Sequence, residues 1–246
     1  MSKGYLAKEA ARHEKDYAKQ LIFFWIIALI LTPALFYAAR YMSERSPAVV
    51  IILQIVIATG LTILLFPTVF FFFRVIKQWI SPELYGNLIV YAENVGKEGA
   101  GWKIDAEAAE GKILVEEYIH FFNGRKVIRT KRKVVLLPSY LLITIGEGDI
   151  TAIPTDKIYW ICIQVGYREG FPIGKLKVFY DRKIQDIENI EFLHTYYIVE
   201  RIQQHLPNVF QNYNPFMLSY ELESIFHRDY NKFIEIYNQH KKQCEE

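Results

Sequence analysis

Two uninterrupted apolar runs stand near the front of the chain, and behind them the pattern of hydrophobic and polar positions changes twice. Residues 21–39 read LIFFWIIALILTPALFYAA and residues 48–73 read AVVIILQIVIATGLTILLFPTVFFFF, and neither run holds a charged side chain. At about 1.5 Å per residue these make helices of about 28 Å and about 39 Å, against a hydrocarbon core of about 30 Å, so each predicts a membrane span. Buried core helices would carry a polar face, and these runs have none. A cleaved signal peptide fits no better: about twenty mostly polar residues precede the first run, its apolar stretch exceeds the usual length, and a second span follows at once. The second run is longer than a span needs, with Gly60 and Pro67 as places to bend.

Behind the hairpin, SPELYGNLIVYAENVG at 81–96 predicts a short linking helix, with Ser81 as N-cap, Pro82 at the first helical position, Glu83 in the first turn and Gly96 as C-cap. From residue 113 to 188 come short runs rich in Ile, Val, Tyr and Phe, broken by NG, LPS, GEGD, PTD, GYREGFPIG and YDRK. This texture predicts a meander of antiparallel strands, clearest at KVVLL, YLLITI, ITAIP, IYWICIQV, KLKVFY and KIQDI. In KLKVFY, Leu176, Val178 and Tyr180 alternate with Lys175, Lys177 and Phe179, which fits one buried face and one mostly wet face. ILVEEYIHFF reads either as a strand entering an Asn123-Gly124 hairpin or as the end of a helix begun at Asp105. Two helical patterns close the chain. The first places Phe192, Tyr196, Val199, Ile202 and Leu206 near one face before Pro207; the second starts at Asn214-Pro215 and buries Leu222, Phe226, Phe233 and Tyr237. The chain therefore divides into an N-terminal helix (1–20), a transmembrane hairpin (21–79), a linking helical segment (81–111), a β domain with its closing helix (112–209) and a C-terminal helix (210–246). Leu142, Ile158, Trp160, Leu176, Val178 and Ile202 are the leading core candidates.

Charge orients the hairpin. Lys3, Lys8, Arg12, Lys15 and Lys19 precede the first span, the connector holds Arg40 and Arg45, and Arg74 and Lys77 follow the second span. The bias predicts a multi-pass cell-membrane protein with both termini in the cytoplasm, and Trp25 and Trp79 near the headgroups. The pre-span residues, with Leu6, Ala10, His13 and Tyr17 at helical spacing, either continue the first helix or lie along the surface. Thr32, Gln54, Thr59, Thr62 and Thr68 within the spans carry no charge, which argues against a proton relay or pump, and Gln54 and Gly60 suit helix packing. Two cysteines, Cys162 in an apolar run and Cys244 in a polar tail, supply neither a disulfide framework nor a metal motif.

The segments YLLITIGEGDITAIPTDKIYWICIQV and KLKVFYDRKIQ, followed by a helix through HTYYIVERIQQHLP, resemble the strand meander and closing helix of bacterial pleckstrin-homology-like (PH-like) domains, in which a strand pair leads into an IP-x-x-x-I segment. Together with the tail LPNVFQNYNPFMLSYELESIFHRDYNKF, they are similar to an uncharacterised bacterial family of small two-span membrane proteins over residues 132–237. The resemblance implies an α+β membrane protein, with a transmembrane hairpin followed by a PH-like antiparallel β domain and C-terminal helices. It brings no catalytic residues to carry over.

Candidate chemistry is sparse. GFPIGKL at 170–176 differs from a phosphate loop in glycine spacing and in lacking Ser or Thr after Lys175, so it reads as a β-turn. Glu191 and His194 stand three apart on a helix, yet His13, His120, His205, His227 and His240 complete no metal spacing, and an ordinary surface pair is the better reading. Asp149, Asp156, Asp181 and Asp186 sit beside turns and read as caps. No nucleophile motif appears, so the expectation is a chain that is not an enzyme and needs neither cofactor nor metal.

One feature points to a partner. GRKVIRTKRK at 124–133 contributes six cations, Arg125, Lys126, Arg129, Lys131, Arg132 and Lys133, to a chain of net charge +2. The residues after Ile80 hold twenty Lys or Arg and twenty-three Asp or Glu, so the positive charge is local to this stretch. It contains no aromatic to stack on bases, which ranks nucleic acid last. Basic residues beside a membrane fit an anionic-lipid contact, and the bland alternative is a water-facing strand edge. The expected function is a membrane-tethered interaction module that binds a protein partner or anionic lipid. An accessory subunit of a larger membrane complex and an enzyme with an unrecognised site are the alternatives, and homo-oligomerisation is compatible with the pattern.

Overall fold

The computed structural model describes residues 4–42, 47–80, 85, 88–90, 96–122, 126–145, 149–210 and 218–246. The chain divides into two units, Ala7–Gly86 on the one hand and Met1–Leu6 with Asn87–Glu246 on the other.

The first unit is built from helices α1 (Tyr5–Met42) and α2 (Pro47–Ile80), so the segment ahead of the first apolar run continues the same helix. Pro33 and Pro67 lie within the helices. Thr62 and Thr68 donate to the carbonyls of Ala58 and Leu64 one turn back, both at 2.8 Å, which satisfies these polar side chains inside the helix that carries them. Trp25 Nε1 donates to Thr68 Oγ1 at 2.9 Å and links the two helices; the side chain of Trp79 lies outside the described residues. Two windows, Ala18–Tyr37 and Val50–Phe73, are long and apolar enough to cross a membrane, and only 6% and 0% of them is buried. Their apolar side chains are left largely uncovered, whereas a core helix of a water-soluble protein buries its apolar stripe. Gly60 borders an open groove where an added Cβ would meet nothing within 4 Å, and Gln54 is exposed, so neither packs closely within the hairpin.

The second unit is a mixed sheet of eight strands among the described residues: β1 (Leu88–Val90), β2 (Val115–Phe122), β3 (Val127–Leu136), β4 (Tyr140–Ile145), β5 (Asp149–Pro154), β6 (Ile158–Arg168), β7 (Phe171–Tyr180) and β8 (Lys183–Glu191). The spatial order is β1-β5-β4-β3-β2-β8-β7-β6. The neighbours among β2 to β8 in this curled sheet all pair antiparallel, and β2 meets β8 through the pair Phe121↔Ile190. β1 departs from the expected linking helix. It pairs in parallel with the edge of β5, Leu88 opposite Ile150, so the sheet is mixed where a purely antiparallel one was predicted. The β-branched pair Ile89-Val90 meets an unfilled strand edge there, and tertiary pairing overrides a cap signal. Ser81, Pro82 and Glu83 lie outside the described residues. Gly96 starts a helix where an end was expected: α3 runs Lys97–Ala109, burying Ala100, Gly101 and Ile104. β2 begins at Val115, so the ambiguous ILVEEYIHFF is a strand into the hairpin.

Helix α4 (Phe192–Gln203) covers one face of the curled sheet. Thr195, Ile198, Val199 and Ile202 recur at helical spacing and are buried against Ile161, Ile163, Leu176 and Val178. Phe192 is only half-buried and Tyr196 exposed, so the buried stripe is rotated from the one predicted. The approach is close enough to need glycine at one point. A Cβ on Gly174 would stand 2.0 Å from Thr195 Oγ1, which explains a glycine inside β7, in a stretch expected to turn. The turn is one step earlier, at Glu169-Gly170, where both residues have positive φ, as do Asp181-Arg182 in the next hairpin.

The predicted last helix is two helices, α5 (Leu218–Arg228) and α6 (Tyr230–Glu245), because Asp229 leaves the helical conformation and caps α6 by accepting the Lys232 N–H at 3.1 Å. They cover the other face of β6 and β7. Phe226, Phe233 and Tyr237 pack with Trp160, Cys162 and Phe179, so the face of KLKVFY expected to be wet is buried too. Leu142, Ile158, Trp160, Leu176, Val178 and Ile202 are all buried.

Trp160 is 1% exposed and stacks on Phe179 at 4.5 Å. Trp160→Ala should therefore cost about 3–5 kcal/mol, read as a lowered denaturation midpoint of the sheet unit. A near-neutral result would mean the ring does not sit in this core.

Candidate functional site

The basic stretch forms the arm of the β2–β3 hairpin, and strand alternation with register decides where each cation goes. Lys126 opens the arm and is exposed, while Arg125 and the side chain of Lys131 lie outside the described residues. Arg129 is exposed, with its guanidinium 4.7 Å from the centre of the Tyr118 ring. Arg132 is half-buried and lies 5.2 Å from the Phe121 ring centre. Both cations lie against aromatic rings of β2.

Lys133 is different. It is 2% exposed, its Nζ lies 2.7 Å from Glu116 Oε1, and it sits over the ring of Tyr5 at 4.9 Å. The start of the chain is held here as well, since Leu6 N–H donates to Asp105 Oδ1 of α3 at 2.9 Å. Lys133 therefore belongs to the fold's interior rather than to an outward contact surface. The stretch is divided between a surface part at its start and a structural part at its end.

Beside the hairpin, the ring of His120 on β2 stacks on that of His194 on α4 at 4.0 Å and 12°. His194 Nε2 lies 2.7 Å from the Tyr118 carbonyl and donates to it, and the Tyr197 ring lies near-parallel to it at 6.0 Å. Burial first, then the neighbouring His194 and Arg129, hold the His120 pKa below its ordinary value of 6.5. Glu191 is committed elsewhere. Its two carboxylate oxygens accept the N–H groups of Leu193 at 3.2 Å and His194 at 2.7 Å, which makes it the N-cap of α4 rather than half of a metal pair. No group of three or more His, Cys, Asp or Glu among the described residues is placed to hold a metal. Arg201 on α4 reaches across to Glu117 at 2.6 Å.

A second polar cluster lies between β7 and α5. Lys177 Nζ pairs with Glu223 Oε1, and Gln164 Nε2 donates to Glu223 Oε2 at 2.8 Å. Lys177 and Glu223 are 8% and 19% exposed at the side chain, so the pair is largely desolvated. Next to it, burial pushes the Cys162 thiol well up, leaving it a packing residue rather than a nucleophile. Asp186 sits within β8 and pairs with Lys175 at 2.7 Å, so it is an ion-pair partner where a turn cap was expected.

Sequence reasoning missed the His120–His194 stack and the Lys177–Glu223–Gln164 cluster, because each joins residues from separate elements. It also passed over exposed aromatics at a hairpin apex, Tyr167 and Phe171. Their flanking of Arg-Glu-Gly was the available signal, since an apex extends past the core that would cover them.

No family model, no curated protein and no solved structure matches this chain.

Two outcomes follow from these clusters. Because the folded-state pKa of His120 is depressed, the stability tied to its neutral form is complete above the ordinary value of 6.5 and falls away as pH drops through the folded-state value. A denaturation midpoint measured from neutral to mildly acidic pH should fall, and His120→Gln should flatten that slope. Glu223→Ala strands the buried Lys177 and should cost about 3–5 kcal/mol, whereas Lys177→Met with Glu223→Leu should recover most of the loss.

Proposed function

We propose that this chain is a membrane-tethered, non-catalytic interaction module. The α1–α2 hairpin spans the cell membrane, and the sheet unit is a PH-like domain on the cytoplasmic side that binds a protein partner or the anionic membrane surface. The observation that carries the tether is a pair of helices with long apolar windows, Ala18–Tyr37 and Val50–Phe73, that are almost entirely unburied. Exposed at such density, these side chains have no stable place in water. The PH-like reading is supported by the antiparallel pairing among β2 to β8, the curl of the sheet and its cover by α4, which is the arrangement that the sequence resemblance implies. The non-catalytic reading rests on the commitments of the polar groups: Glu191 caps a helix, Lys177 and Glu223 neutralise one another, and Cys162 is a buried thiol.

The accessory-subunit alternative has one feature in its favour. Between α1 and α2 runs an apolar groove of about 520 Å³, bordered by Phe24, Ala28, Leu35, Gly60, Leu64 and Pro67, of a kind that a helix of another membrane protein would fill.

Topology gives the direct test. In a chain with Cys244 replaced by Ser, a membrane-impermeant thiol reagent added to intact cells should label Ser43→Cys or Ser46→Cys and leave Ser219→Cys protected until the cells are opened. The reverse pattern would place the sheet unit outside. Resistance of the chain to alkaline carbonate extraction checks the span itself, and crosslinking in native membranes separates a stable integral partner from a lone tethered module.

A further inference from the structure

At one corner of the sheet unit two hairpins distant in sequence meet. Phe122, at the end of β2, packs edge-on against Phe171, at the start of β7, with ring centres 5.5 Å apart. Beside this contact the fold leaves large apolar side chains uncovered: Tyr167 is 72% exposed, Phe171 54%, Val127 50% and Ile128 40%. Val127 and Ile128 are consecutive in β3 and so point to opposite faces, and both are bare because the arm extends past the core. Cations stand among them, with Lys126 and Arg129 on one hairpin and Arg168 on the other exposed to solvent. Of the nearby acids, Glu169 is exposed at the β6–β7 turn, whereas Glu191 caps α4, Glu117 pairs with Arg201 and Glu188 pairs with Lys175.

Aromatic and aliphatic side chains at a convergent pair of apices, interleaved with cations, match the chemistry of a lipid interface. Apolar groups enter the boundary between headgroups and acyl chains, tyrosine rests at headgroup level, and Lys and Arg face lipid phosphates. We infer that the outer end of β3, from Lys126 to Arg129, and the β6–β7 apex together form a docking surface for the anionic headgroup layer, with Tyr167, Phe171 and Ile128 entering it and Lys126 and Arg129 meeting its phosphates. This rests on the membrane-tether reading and deepens it, because it adds β6–β7, which carries none of the basic stretch, to the contact and commits the partner to lipid.

The test uses the full chain with Cys244→Ser, in which Cys162 stays buried, and an environment-sensitive fluorophore attached at Tyr167→Cys, reconstituted into vesicles of phosphatidylcholine alone or mixed with phosphatidylglycerol. Expected are a blue-shifted emission in the anionic vesicles, quenching by nitroxide-labelled lipid, and reversal of both at high salt. The same probe at Lys241→Cys on α6 should show neither. Lys126→Gln and Arg129→Gln should each weaken the preference for anionic lipid about fivefold. A probe at position 167 that reports water in both vesicle types, in a chain that still floats with vesicles after carbonate, overturns the docking while leaving the tether intact; recovery of the blue shift only in native membranes would assign the surface to a protein. A chain that leaves the vesicles in carbonate removes the tether and this inference with it.

Discussion

The strand pair β6–β7 is buried on both faces, and that demand organises the sheet unit around it. A curled antiparallel sheet ordinarily keeps one face for its core and leaves the other to water. Here Ile161, Ile163, Leu176 and Val178 fill the inner face under α4, while Trp160, Cys162 and Phe179 point the opposite way and would lie bare without α5 and α6. Phe226, Phe233 and Tyr237 supply that second cover. The close seat of α4 is set by Gly174, which lets Thr195 approach the strand, and the seat of α5 by the Lys177–Glu223 pair, which gives the outer apolar face one polar fixed point. A buried ion pair adds little net stability over an apolar replacement, and with Gln164 sharing Glu223 the three side chains tie α5 to β6 and β7.

The same contrast between buried and exposed charge divides the basic stretch. Lys133 lies where the strand enters the core, and its amine is met by Glu116 and by the ring of Tyr5. Toward the apex no core remains, and Lys126 and Arg129 are exposed at the surface beside Val127 and Ile128. A single run of like charge thus carries a structural end and a surface end, and the boundary between them is the point at which the hairpin leaves the packed layer. The proposed interaction surface is the uncovered end, joined by the β6–β7 apex through the Phe122–Phe171 contact.

Much of this was written in local pattern. The absence of charge over residues 21–39 and 48–73 was enough for two long helices, because hydropathy over that length has few other outcomes. Period-two alternation and turn residues were enough for β4 to β8, and core candidates such as Trp160 and Ile202 followed from the same periodicities. What depended on distant partners was not legible. Leu88–Val90 joined a sheet edge some sixty residues away in sequence, Phe179 and Lys177 were buried by helices that arrive later in the chain, and Asp229 broke a helical pattern by capping the next helix. The sequence by itself therefore determined the elements whose faces are decided by their own periodicity: the apolar helices, the meander and the closing helix. Only the tertiary structure decided which cations face inward, which histidines stack and which apolar side chains remain exposed at the apices, because each of these is a property of a pair of elements and no local pattern encodes the second member.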